Sequence, residues 1–268
     1  MITKNGQELA MEKLDIQNGE KRSLPMCQGE IPGTALFHNT LPKGEIYTLA
    51  PDKAHYHIYI LISGKCTMET GGKSEIFSER VTFVPAPECE MTLSAHEDVQ
   101  LLEVVWDITE EDVRLRAEYG TAFPVVVPYA TAIQYVDPNK SPKTISRMMI
   151  PHKIIPRFAI GSVESYGYDY VKPHTHPMLD QYFFSFPENR MDLIINGEKI
   201  PMGGNEVVHI PLGADHGVEV TGTDHMHYMW IDFLPDNEEG LRRLDKSHRP
   251  TGTVRDLAKE DKFRNNDK

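Results

Sequence analysis

The histidines are where the spacing of this sequence points most directly to chemistry. Pro173-His174-Thr175-His176-Pro177 sets two imidazoles two residues apart. On an extended strand side chains alternate with period two, so both rings leave one face and can reach one ion. Gln181 follows five residues after His176, room for the chain to turn and offer a third group from the next strand. Later, Ile210-Pro211-Leu212-Gly213-Ala214-Asp215-His216-Gly217 reads as a strand, a Pro/Gly turn and one more histidine. A chain with 12 histidines throws up an H-x-H pair easily. The pair together with the offset Gln181 and the later His216 is a much rarer coincidence, and it describes a three- or four-ligand site for a divalent metal.

Such a site needs strands to hold it, and strands dominate the sequence. Short apolar runs at 45–49, 58–62, 81–84, 100–106, 158–164, 181–186, 192–195, 206–210 and 225–233 are separated by turn residues such as Ser63-Gly64, Gly71-Gly72, Asn196-Gly197 and Gly203-Gly204. Many short strands at close spacing predict a sandwich or barrel. Between the two β-rich halves, Thr109-Glu110-Glu111-Asp112 is a helix start, with a capping residue ahead of three acids, and Gly120 ends the run. A Pro-punctuated stretch over 121–156 reads as a linker. The expected organisation is therefore a first domain at 1–140, a second at 141–240, and a charged tail at 241–268, with a short helix near 238–244 and solvated, fraying chain beyond it.

Composition excludes several classes. Against 28 Lys and Arg stand 40 Asp and Glu, a net charge of −12 over 268 residues, which disfavours nucleic-acid and anionic-membrane partners. Three cysteines (Cys27, Cys66, Cys89) form no disulfide framework and suggest a cytoplasmic protein with reduced thiols. No signal peptide and no membrane-spanning run is evident. There is no G-x-S-x-G, no phosphate-cradling glycine loop and no C-x-x-C.

The segments 173–181 and 211–216 resemble the two sequence motifs of the cupin superfamily, G-x5-H-x-H-x3,4-E-x6-G and G-x5-P-x-G-x2-H-x3-N. The resemblance covers roughly 155–235 and implies an all-β fold of antiparallel jelly-roll barrels. It also implies a divalent metal on His174, His176 and His216, with Gln181 where the family usually has Glu. Asp180, one residue earlier, carries a charge and fits the shorter gap; Gln181 is favoured because it is in phase with Phe183 and Ser185. The glycine after the Glu position and the final Asn (here Val220) are missing, and Gly167 lies one residue too far from the pair. In the first half, the run from His57 to Gly64 resembles the family's strand after the ligand pair. That puts His57 at the Glu position, Ala50 and Asp52 at the pair, and Glu90 at the last His. His55-Tyr56-His57 then imitates the pair in letters alone, and this half is expected to serve packing. The whole resembles a bicupin: two antiparallel jelly-roll barrels joined by a short helix and linker, one of them active.

Around the expected metal, Glu164 and His227 are the candidate catalytic groups, with His225 as an alternative. Tyr166, Tyr168 and Tyr170 are candidates for the mouth, and Arg147 and Arg157 for a substrate carboxylate. One divalent transition metal (Fe, Mn, Zn or Ni) held mainly by neutral imidazoles keeps its charge and open positions. The resulting expectation is a metal-dependent enzyme acting on a small sugar acid or keto/hydroxy acid by non-redox isomerisation or elimination. An iron dioxygenase and a non-catalytic ligand-binding barrel are the alternatives. The expected partner is a small-molecule substrate, and the expected assembly a homodimer.

Overall fold

In the computed structural model, which describes residues 8–17 and 19–255, four antiparallel sheets form two barrels. The first barrel pairs a six-stranded sheet, which includes His55–Ser63 and Val99–Asp107, with a four-stranded one that includes Met91–Ala95. The second pairs an eight-stranded sheet, which includes Phe158–Tyr166, Asp180–Ser185 and His225–Phe233, with a four-stranded sheet built from Asp169–His174, His216–Val220, Met191–Ile195 and Glu198–Met202.

The two large sheets face each other. Tyr56, Ile58, Leu102, Val104 and Trp106 of the first barrel share one buried core with Phe158, Ile160, Tyr182, Phe184 and Phe233 of the second. The opposite faces of the same strands line the barrel interiors: Tyr59 and Leu61 in the first, Phe183, Tyr228 and Trp230 in the second. Each large sheet is thus buried on both faces, which explains why Ile58-Tyr59-Ile60-Leu61-Ile62 is apolar throughout. The small sheets have one wet face, and Met91–Ala95 and Met191–Ile195 alternate accordingly. Each large side chain in the shared core contributes roughly 1.5–3 kcal/mol relative to exposure.

Helix α1 (Glu110–Tyr119) forms where expected. Thr109 and Asp112 cap each other's backbone N–H groups, and Gly120 closes the helix at φ 66°, a conformation suited to glycine. Asp112 is fully buried because Arg157, from the second barrel, grips its two oxygens at 2.8 and 2.6 Å.

Three boundaries differ from the sequence expectation. Met11–Lys13 pairs with Glu206–Ile210, so the N-terminal strand completes the second barrel rather than the first. Ile133–Val136 pairs with Ile145–Ile150, so the division between barrels falls before residue 133 rather than at 140. Helix α2 (Asn237–Ser247) is longer than expected and packs Leu244 on Leu179 and Leu234. Arg249–Pro250 then adds to the sheet at Tyr135 and Val136, covering an edge that would otherwise be open. The expected tail is therefore solvated, with 249–254 exposed, but tied to the sheet through Arg249–Pro250 and through Gln134 on the backbone of Arg255; 256–268 lie outside the described residues.

Candidate metal centre

His174 ends its strand, directly opposite His216 at the start of the next. His176 lies just past the strand rather than on it. Pro173 lacks a ladder N–H and Pro177 holds His176 extended, so the chain leaves the sheet between the two histidines. The rings converge nonetheless: the centroids of His174, His176 and His216 are 4.7, 4.8 and 5.3 Å apart, and their ligand nitrogens lie within 4.8 Å of one another. Nδ1 of His174 faces the Lys172 carbonyl at 2.7 Å and Nδ1 of His216 that of Ala214 at 3.0 Å. Those contacts place the ring protons on Nδ1 and turn the Nε2 lone pairs inward. Burial together with the neighbouring imidazoles pushes His176 down to about 3, and burial with His174 alongside pushes His216 down to about 4. Both rings are neutral near pH 7, as ligands must be.

Gln181 is the candidate for a fourth group. Its Nε2 donates to Asp232 Oδ1 at 2.5 Å, and its Oε1 is buried without a partner in the cavity that the three imidazoles line. An orphaned buried carbonyl costs about 1–3 kcal/mol; a cation at the imidazole cluster would offset that cost. The donor set of three imidazoles and one amide oxygen fits a divalent transition ion. Asp180, the alternative, is out of phase: with Tyr182 and Phe184 it faces the inter-barrel core, and its Oδ1 is 3.7 Å from Nε2 of His209.

The close approach at Gly217 locks this geometry. A Cβ there would come within 2.6 Å of the Val171 carbonyl oxygen, at the bulge that aims His174. Gly217→Ala, though it removes no ligand, is expected to weaken metal binding on the order of 10-fold or more. Titration calorimetry with Zn2+ checks this; an unchanged affinity would refute the coupling.

The cavity is small, about 40 Å3, and its other walls hold groups that the sequence did not single out. Burial lifts the Asp232 carboxyl to about 7, against the opposing pull of Gln181 and Lys140. Burial likewise pushes the Lys140 ammonium down to about 8, against the pull of Asp137. Lys140 Nζ donates to the Tyr135 hydroxyl at 2.7 Å and lies 3.7 Å from Asp137. Ser247 and His248, at the end of α2, close the wall, and the His248 ring stacks on Trp230. An acid inside the apolar run 229–233, in phase with Tyr228 and Trp230, was a readable signal for Asp232. Lys140, in a turn, and His248, in the tail, gave none.

Glu164 and His227, expected beside the metal, are elsewhere. Along Phe158–Tyr166 and His225–Phe233 they share a face with Phe158, Ile160, Met229 and Ile231, the inter-barrel face, so the sheet separates them from the imidazole cluster. There Glu164 meets the Tyr129 hydroxyl at 3.0 Å and Arg147 at 2.8 Å, while His227 meets Tyr129 and Glu188, both at 2.6 Å. Arg80 of the first barrel grips Glu188 through both oxygens. His225 stacks on Tyr166. Glu164, His225 and His227 come within metal-binding reach of one another, but the Arg147 guanidinium already neutralises Glu164. Arg147 and Arg157 thus hold the chain's own carboxylates rather than a substrate's, and Tyr166, Tyr168 and Tyr170 do not line the cavity.

Burial alone would raise Glu164, but His225, His227, Arg147 and Tyr129 override it and hold the carboxyl down at about 2. Burial also lowers His227. A depressed carboxyl contributes stability that is present above its ordinary value near 4.3 and is lost as pH falls towards 2. The lowered His227 acts in the same direction, from about 6.5 downwards. Urea midpoints of wild type are therefore expected to fall steeply between about pH 4 and 2, with Glu164→Gln flattening that stretch. Parallel pH profiles for the two proteins would refute the assignment.

Sequence comparison finds no matching family profile and no matching curated protein. Structural comparison does find likenesses. A cupin 2 conserved barrel domain protein from Leptotrichia buccalis superposes with a TM-score of 0.60 at 14% identity, over 87% of this chain and 100% of that one. The fold is that of a two-barrel cupin. A salicylate 1,2-dioxygenase from Pseudaminobacter salicylatoxidans matches this cupin fold with a TM-score of 0.60 at 10% identity, over 85% and 79% of the two chains. An oxalate decarboxylase variant from Bacillus subtilis matches with a TM-score of 0.61 at 13% identity, over 88% and 84%. At these identities the likeness establishes the cupin architecture, while the chemistry must be argued from the residues. Among the described residues, no helix is long and apolar enough to cross a membrane.

Proposed function

We propose that this protein is a metal-dependent enzyme that moves a proton on a small hydroxy or keto acid, giving isomerisation or elimination. The observation that carries this reading is one cavity shared by three convergent imidazoles, the unpartnered Gln181 carbonyl, the Asp232 carboxyl and the Lys140 ammonium. His174, His176, His216 and Gln181 would hold a divalent ion, which supplies Lewis acidity towards a substrate oxygen. Lys140, the one ammonium on the cavity wall among the described residues, binds the acid group of the substrate. Asp232 accepts the proton from the substrate carbon and returns it, while Gln181 Nε2 steadies the carboxylate through its hydrogen bond. Val171, Phe183, Tyr228 and Trp230 exclude water from the exchange. Two structural neighbours are named for salicylate and oxalate, both carboxylate substrates, which supports an acid in this cavity too.

A second reading, an iron dioxygenase, draws on the all-neutral donor set and on the salicylate 1,2-dioxygenase neighbour. One series of assays separates the readings. The protein is stripped of metal and reloaded with Mn2+, Zn2+, Ni2+ or Fe2+. A panel of small hydroxy and keto acids is then followed for deuterium uptake at carbon in D2O and for oxygen consumption. Carbon-bound deuterium exchange that falls about 10²–10⁴-fold in Asp232→Asn supports proton transfer, and a raised KM with little change in kcat in Lys140→Met supports the anchor. Oxygen uptake by the Fe2+ form alone would replace the proposal with the dioxygenase. Metal binding with neither reaction would leave a ligand-binding barrel.

A further inference from the structure

We infer that the first barrel carries a second transition-metal site, at Asp52, His55 and His57. It differs from the second barrel's site in ligand set. The positions that correspond there to the motif's first and last histidines are Ala50 and Glu90 here, so the pattern of the second barrel is not repeated. Instead Asp52, in the turn before the strand, and His55 and His57, at the strand's start, bring three ligand atoms within 4.8 Å of one another. Two ring nitrogens face the same carboxylate oxygen: Asp52 Oδ2 lies 2.8 Å from His55 Nδ1 and 3.1 Å from His57 Nε2. His55 and His57 lie on the face of their strand that continues into the barrel through Tyr59 and Leu61, while Tyr56 and Ile58 turn to the shared core.

The support behind this cluster is what separates it from a chance meeting of polar groups. His57 Nδ1 faces Glu103 Oε1 at 2.8 Å, so a proton on that nitrogen leaves Nε2 as the ligand atom beside Asp52. A carboxylate that receives the outer N–H of an imidazole is the usual device for fixing a metal-binding histidine. Glu103 is itself buried and held on both oxygens, by the Tyr59 hydroxyl at 2.9 Å and by Asn39 Nδ2. Asp52 is steadied through its other oxygen by the Ala54 N–H at 2.9 Å. The outer face is partly open, with Asp52 at 31% and His55 at 37% exposure, so an ion can enter and keep water or ligand positions. Asp107 Oδ1, 3.5 Å from His55 Nε2, adds negative charge at the same mouth. Two imidazoles with one carboxylate select a divalent first-row transition ion over Mg2+ or Ca2+, which prefer all-oxygen sets.

The test is a count of bound ions in the full chain, stripped with chelator and titrated with Co2+ under visible spectroscopy and elemental analysis. Wild type should saturate at two equivalents, and His174→Ala/His216→Ala should keep one. Adding Asp52→Asn and His55→Ala to that variant should remove the remaining equivalent. Glu103→Gln, which leaves all three ligands in place, should weaken the first-barrel equivalent about 10–100-fold, with circular dichroism melting as the folding control. Wild type saturating at a single equivalent that disappears in His174→Ala/His216→Ala would overturn the inference. So would two equivalents surviving Asp52→Asn/His55→Ala. A single equivalent that survives His174→Ala/His216→Ala would uphold this site and sink the metal centre of the second barrel, so the two claims fail separately.

Discussion

His216→Ala is expected to strip the second barrel of its metal, lowering affinity there by at least about 100-fold, beyond the 10–100-fold typical of losing an outer partner. The size follows from position. His216 is 2% exposed, opposes His174 across the strand pair and has its outer nitrogen committed to Ala214. Its removal leaves His174 at the last residue of its strand and His176 just past it, where two imidazoles and an amide oxygen must span the ion unaided. Elemental analysis after dialysis should show one equivalent fewer per chain, with an unaltered circular dichroism spectrum because the ring is a small part of a large apolar core. Full retention of that equivalent would mean that the imidazole cluster is a packing arrangement, and the proposed chemistry would go with it.

Asp112→Ala is expected to be the most damaging single change to stability, at roughly 3–5 kcal/mol, because it leaves the Arg157 guanidinium partly buried without its anion. That corresponds to a fall on the order of 10 °C in Tm. Two functions are lost at once. Asp112 closes the capping box of α1 by accepting from the Thr109 N–H, and it binds Arg157, whose guanidinium also lies over Trp106. The pair spans the two barrels, so the loss should appear as easier separation of the shared core as well as a frayed helix. Thermal melts of Asp112→Ala, Arg157→Ala and the double variant form the check. The double variant should cost clearly less than the two singles together; strict additivity would show that the pair does not act as a unit.

How far the sequence foretold this arrangement depends on which faces of a strand meet water. The convergence of His174, His176 and His216 was legible because H-x-H and the turn before His216 combine residue type with spacing, and the phase of Gln181 with Phe183 put it, rather than Asp180, on the wall of the same cavity. Glu164 and His227 were misplaced for a physical reason. Both faces of Phe158–Tyr166 and His225–Phe233 are buried, so period two sorts residues into two faces without saying which one looks into the barrel. Asp232 falls on the interior face of that same strand. Helix α1 was legible because a capping box and a terminal glycine are local signals. The N-terminal strand, Lys140 and the end of α2 were not, because each is placed by a partner far away in sequence, and charged residues near a chain end read as solvated whether or not a sheet edge awaits them.

The clasp between Met11 and Val208 carries a consequence for biogenesis. On the ribosome the first of these segments emerges long before the second, and at about 5–20 residues per second the interval is on the order of 10–40 s. During that time the early barrel can close on itself, but its large sheet presents a bare apolar face and its leading segment hangs without a template. Met11–Lys13 therefore waits for a strand made almost two hundred residues later before it can pair, and a nascent chain stalled before Glu206 should be the form that chaperones hold and proteases cut.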